Sequence, residues 1–218
     1  MIRVAISVEG QTEDEFCKQV LVPYFRDYDI ELVSIIVATK RKKCGVKHKG
    51  GCINLDRIKS ELIKILPNFD YVTTFYDLYG FDIEGQYTAD ELEIKIHERL
   101  DNNQKLIPYI QKYEFETLLF SEASYYEDYF NDENAKTEIE NIVNSCGGVE
   151  NINNSRETAP SKRIDKFFDK YDERYDKVFH GASIADDIGL NIILDKCDRF
   201  REWINTIQNL NNIITLKR

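Results

Sequence analysis

Residues 2–9, Ile-Arg-Val-Ala-Ile-Ser-Val-Glu (IRVAISVE), are a short β-branched apolar run that stops at a carboxylate. The run is too short for a membrane span and lacks the alternation of a half-exposed strand. It therefore reads as the first strand of a parallel sheet, buried on both faces. Glu9 then stands at the carboxyl end of that strand, followed by Gly10, where open α/β sheets place their ligands. A similar run, Tyr71 to Tyr76 (YVTTFY), ends at Asp77. Two acids at strand ends, each beside a glycine-containing turn, are the arrangement that a cation-dependent phosphoryl-transfer site requires.

Working outward, Thr12-Glu13-Asp14-Glu15 has capping-box spacing and predicts a helix from Thr12 to about Arg26, kinked or tightened by Pro23. Ile30–Ala38 is the second predicted strand. Asn54 caps a helix carrying Ile58, Leu62, Ile65 and Leu66 on one face, ended by Pro67 and Asn68. Thr88 caps another through about Leu100, and Lys105–Gln111 is the fourth strand, with Pro108 marking an edge or irregular position. This alternation implies a parallel sheet of about four strands with right-handed crossovers, flanked by helices. From Glu114 onward the strand signal fades. Phe115, Leu118, Leu119 and Phe120 have helix-like spacing, and helices are expected over 122–130, 135–146, 161–171, 184–194 and 200–210. The expected organisation is an α/β domain over residues 1–120 and a helical extension over 121–218.

A hydrophobic content of 42% and a charged content of 31% describe a soluble globular chain. With apolar runs this short, no membrane span is expected. No secretory signal is legible at the N-terminus, and the five cysteines are odd in number and scattered. Free thiols in a reducing cytoplasm follow. Cys44, His48 and Cys52 lack the paired spacing of a structural zinc site, and no phosphate-binding loop, dinucleotide fingerprint or serine-hydrolase elbow appears. The net charge of −10 opposes broad nucleic-acid binding, yet Lys40, Arg41, Lys42, Lys43, Lys47 and Lys49 crowd one stretch. Such a loop grips a polyanion or is simply solvated. His180 reads first as a packing residue and second as a general base. The tyrosines Tyr76, Tyr79, Tyr125, Tyr126 and Tyr129 read as packing residues before base-stacking ones.

VEGQTEDEF at 8–16 resembles the opening of Toprim-like proteins, in which a Glu ends the first strand. FYDLYG at 75–80, YIQKYEFETLLF at 109–120, ETAPSKRI at 157–164, KVFHGASIADDIGL at 177–190 and CDRFREW at 197–203 resemble an uncharacterised bacterial Toprim-like family, a domain of unknown function often encoded beside AAA-type ATPases in phage-defence loci. The resemblance implies a Toprim fold, a Mg2+- or Mn2+-dependent nuclease acting on DNA or RNA, and an AAA-type ATPase partner. Oligomeric state stays open, a homo-oligomer among the options. In this reading Glu9 and Asp77 are the principal catalytic acids and metal ligands. Glu116, with Glu114 in reserve, is the extra acid, and Lys162 is the cation that stabilises the transition state. The wider Toprim pattern carries Asp-x-Asp after the third strand. Tyr79 stands here at the second acid, and Asp82 can replace it only if the loop folds back. The other readings are a non-catalytic interaction or sensor partner of the ATPase, and a small-molecule phosphotransferase that uses the same acids.

Overall fold

β1 (Ile2–Val8) pairs in parallel with β2 (Ile30–Ile36) on one side and β3 (Tyr71–Asp77) on the other. The edge strand is split into β4 (Leu106–Ile107) and β5 (Ile110–Gln111), both parallel to β3. The sheet order is β2-β1-β3-β4, with β5 also on β3. The computed structural model describes residues 1–37, 54–81, 87–153 and 157–211. The chain divides into two compact units, Met1–Gln111 and Lys112–Arg218; the boundary read from the sequence, 120/121, lies later in the chain.

The parallel arrangement follows from the strand composition. Every residue of β1 except Arg3 is buried, so both faces of the central strand are covered. On one face Ala5, Val72, Tyr76, Leu106 and Ile110 form a core with α3 (Leu55–Ile65) and α4 (Ala89–Arg99) through Ile58, Leu62, Leu92 and Ile96. On the other, Phe75 meets Phe16 of α1 (Gln11–Phe16), ring centroids 5.9 Å apart. Asn54 caps α3 by accepting from the Arg57 amide, and Thr88 and Glu91 form a reciprocal capping box on α4, as their spacing predicts.

Three local expectations are corrected. Gly10, not Thr12, is the residue that starts α1, and no side chain caps it. The helix then widens into a π turn, Cys17–Leu21, before α2 (Val22–Arg26). Pro23 supplies the reason. Its ring would strike the carbonyl four residues back and it has no N–H to offer, so the Val22 amide reaches instead to the Cys17 carbonyl, adding one residue to the turn. The third correction concerns the helix expected over 184–194. It is two helices, α8 (Lys177–Ile188) and α9 (Leu190–Lys196), parted at Gly189 with φ +87°.

Pro108 breaks the edge strand, and β3 compensates with side chains. The Thr73 hydroxyl donates to the Ile107 carbonyl at 2.6 Å, while Thr74 donates to the Tyr109 carbonyl and accepts from its amide. Backbone groups that lose ladder partners are thereby satisfied.

The second unit is helical. The expected helix over 115–120 is a 3-10 segment, Phe115–Phe120. It is followed by α5 (Ser124–Phe130), α6 (Glu133–Cys146), α7 (Pro160–Lys170), α8, α9 and α10 (Asp198–Gln208). Phe130 stacks on Tyr171 at 4.1 Å and meets Phe167 and Phe168 edge-on, and Tyr126 meets Phe167 in the same way. Tyr126 is therefore a packing residue, as expected. His180 accepts the Asp176 amide on Nδ1 and lies against Tyr175, which makes it a capping and packing side chain. No helix among the described residues is long and apolar enough to cross a membrane.

Candidate functional site

The order β2-β1-β3 places the chain's reversal of direction between β1 and β3. The first crossover leaves β1 toward β2, and the next returns across β1 to β3. At such a switch point the loops part and leave a crevice at the carboxyl ends of the strands. Val8 pairs with Phe75, so Glu9 and Asp77 leave adjacent strands at that same edge. Asp77 is also in register with Gln111 of β5.

The Glu9 carboxylate is held against Gly80, which closes the 3-10 turn Leu78–Gly80 directly after Asp77. A methyl group at residue 80 would lie 2.1 Å from Glu9 Oε1 and 2.6 Å from Oε2. Gly80 is thus the residue that admits the carboxylate. Glu9 Oε1 is shut off from solvent and has no hydrogen-bond partner among the described residues. Burial pushes the Glu9 carboxyl well above its ordinary range, the neighbouring Glu13 adds to the rise, and a hydrogen bond from the Asp77 backbone partly opposes it.

Glu13 is the site residue that sequence reasoning missed. It is buried on the first turn of α1, and its carboxylate lies beside Gly10. The four-residue step from Glu9 to Glu13 was the available signal, obscured by reading Thr12 and Glu15 as a capping box. Asp14, also buried, is neutralised otherwise: Ser34 donates to it at 2.5 Å and Lys18 Nζ lies at 2.6 Å. Tyr76, buried beneath the site, donates from its hydroxyl to Ser7 at 2.7 Å.

Glu114, Glu116 and Lys162 belong to the second unit. Glu114 accepts the Ser161 amide at 2.8 Å at the start of α7. The Glu116 side chain is 2% exposed and pairs with Lys177 Nζ at 2.8 Å. Burial raises its pKa, Lys177 opposes the rise, and Glu114 reinforces it. Lys162 is exposed and pairs with Asp165 at 3.1 Å. Lys40, Arg41, Lys42, Lys43, Lys47, Lys49 and Asp82, together with Cys44, His48 and Cys52, lie outside the described residues.

Among the described residues, no three His, Cys, Asp or Glu side chains are grouped closely enough to hold a metal ion. Magnesium does not require such a cage, since one or two carboxylates commonly hold it with water and substrate phosphates completing the shell. Glu9, with a buried oxygen lacking a partner, and Asp77 on the adjacent strand end suit that mode.

No curated protein and no solved structure matches the chain. The family described as Domain of unknown function (DUF4276) matches residues 8–208, nearly the whole chain, and the protein belongs to that family.

Proposed function

We propose that the chain hydrolyses phosphodiester bonds in nucleic acid with Mg2+ or Mn2+ at the edge between β1 and β3, in the manner of Toprim nucleases. The observation that carries this reading is the placement of Glu9 and Asp77 at the carboxyl ends of adjacent central strands, with a buried Glu9 oxygen that no described residue satisfies. Leaving such an atom unpaired costs about 1–3 kcal/mol, and a cation would remove that cost. The bound ion would supply Lewis-acid polarisation of the phosphoryl group and a lowered pKa for water.

The chain's own residues do the rest. Asp77, at the end of the β3 ladder, would present its carboxylate to the cation. Glu9 would ligate the cation through its buried oxygen or, where it does not, take the proton of the attacking water; without the cation its affinity for a proton is raised. Burial sets that affinity and Glu13 adds to it. Glu116, Glu114 and Lys162, which the resemblance gives as extra acid and transition-state cation, belong to the second unit, where Glu116 pairs with Lys177 and Lys162 with Asp165. Residues 40–49 would grip the nucleic-acid backbone.

A second reading is a non-catalytic effector or sensor partner of an AAA-type ATPase. It is favoured by Tyr79 at the place of the second acid and by the lack of a three-ligand group among the described residues. One experiment separates the two. Purified protein is incubated with Mg2+ or Mn2+ and labelled DNA and RNA, and melting is followed in parallel. The nuclease reading expects cleavage and a cation-induced rise in Tm, both lost in Glu9→Gln and Asp77→Asn. Equal cutting by both variants would remove these acids from the site, and the lack of both cutting and a Tm shift would favour the interaction partner.

A further inference from the structure

The facing sides of α6 and α7 carry an unusual pairing of side chains. On α7, the apolar positions Ile164, Phe167 and Phe168 are buried, while Arg163, Lys166 and Lys170 recur at three- and four-residue steps along a groove of about 650 Å3. On α6 the groove is lined by Asn134, Thr137, Glu138, Asn141, Ile142 and Ser145, a helical stripe in which Ile142 is the single apolar side chain. The protein bears a net charge of −10, so three cations on one face of one helix depart from its general surface. Two of them are held in place. Arg163 Nε donates to the Thr158 carbonyl at 2.7 Å, which fixes the guanidinium plane, and Lys170 pairs with Glu138 at 2.5 Å. Glu157 is the other acid of the groove, and Lys166 lies 3.5 Å from its backbone carbonyl.

We propose that this groove binds a phosphate-bearing ligand of nucleotide size. Arg163 and Lys166 meet the phosphate, the first as a planar fork and the second as a point charge. Asn134, Thr137 and Asn141 supply hydrogen bonds to the sugar and base edges. The volume falls in the range of small-molecule pockets and suits one or two nucleotide units. Free nucleotide and the end of a nucleic-acid strand share this chemistry. The inference is independent of the acids at β1 and β3.

The test uses the full chain with EDTA, so that catalysis does not intervene. ATP, AMP, inorganic pyrophosphate and a short oligothymidine strand are titrated by calorimetry at low and high salt. At least one probe is expected to bind with Kd below ~1 mM, more weakly as salt rises. Lys166→Glu and Arg163→Gln should each weaken that binding by about tenfold or more, with the far-ultraviolet spectrum and Tm unchanged. Lys136→Glu, on α6 but not among the residues that line the groove, should change it by less than about twofold, since an exposed charge off the ligand is screened. Binding of ATP or AMP alone identifies a free nucleotide, and binding of the strand alone identifies nucleic acid. The proposal is overturned if none of the four probes binds below that concentration, or if Lys136→Glu weakens binding as much as Lys166→Glu does.

Discussion

Replacing Gly80 by alanine inserts one methyl group at the closest approach between the turn after β3 and the acid after β1. The methyl carbon would lie 2.1 Å from Glu9 Oε1 and 2.7 Å from Cδ. Carbon and oxygen do not approach within about 3 Å in a packed interior, so the carboxylate must retreat by at least ~0.9 Å or the turn must move. Either response strains the hydrogen bond from the Asp77 backbone that opposes the raised Glu9 pKa. The expected cost is about 1–3 kcal/mol, the range for overpacking a fitted site. Gly80 is not among the left-handed residues, so the backbone accepts alanine and the collision is the only penalty. A double-mutant cycle isolates it. In a Glu9→Ala background the obstacle is gone, and Gly80→Ala should become neutral or stabilising by about 0.4–1 kcal/mol through the less flexible unfolded chain. Urea titrations of the four proteins read the cycle. A single-mutant cost that persists unchanged in the Glu9→Ala background would refute the contact between Gly80 and the carboxylate.

Other perturbations follow from the same geometry. Because the native Glu9 carboxyl holds its proton more tightly than the usual carboxylate, the native state binds more protons than the unfolded state between about pH 4.5 and the raised native value. Its stability contribution is present below that window and is lost as pH rises through it. Glu9→Gln should therefore gain on the parent as pH rises from 4.5 to 8 in EDTA, and urea midpoints that keep a constant offset would contradict this. Thr88→Ala should cost about 1 kcal/mol by removing the capping box of α4, and Asn54→Ala a similar amount at α3, read as lowered Tm. Gly189→Ala should cost about 1–3 kcal/mol although open space surrounds the site, because φ of +87° strains any side-chain-bearing residue. An unchanged Tm would mean that the break between α8 and α9 can be remodelled.

Strands and capped helices were legible because they depend on local chemistry. The uninterrupted apolar runs at Ile2–Val8 and Tyr71–Tyr76 encode burial on two faces, and Asn54 and Thr88 announce their helices by satisfying orphan amides. Pro108 marked the edge position for the same reason. The missed features depend on contacts distant in sequence or on a competition between local signals. Thr12 offers a good cap, but Gly10 allows α1 to begin earlier and brings Glu13 beside Glu9. Pro23 announces a disturbance without saying whether the helix bends or adds a residue. Gly189 sits in an apolar run whose periodicity conceals the break. For the candidate site, the strand-end positions of Glu9 and Asp77 could be read from the runs that precede them. The place of Gly80 could not, because its contact with Glu9 joins residues 71 apart in the chain.

The electrostatics of the β1 edge bear on which function the fold was shaped for. A carboxylate whose burial raises its pKa is a liability to the metal-free protein: replacing it with a neutral isostere relieves desolvation and repulsion from Glu13 together. Asp14, only five residues along the chain, shows the structural alternative, since Ser34 and Lys18 satisfy and neutralise it. The short stretch from the end of β1 into α1 thus contains an acid that has been given its partners, Asp14, and another, Glu9, with an oxygen that no described residue meets. A surface built only to contact another protein would gain from treating Glu9 as it treats Asp14. Retaining the deficit is reasonable where an incoming cation completes the shell, because the energy withheld in the empty protein then returns as affinity for the ion. The sign of the Glu9→Gln effect on stability is therefore informative: stabilising without cation and lost cation response fit a site held ready for a ligand, whereas a destabilised variant indifferent to Mg2+ would make Glu9 a structural acid.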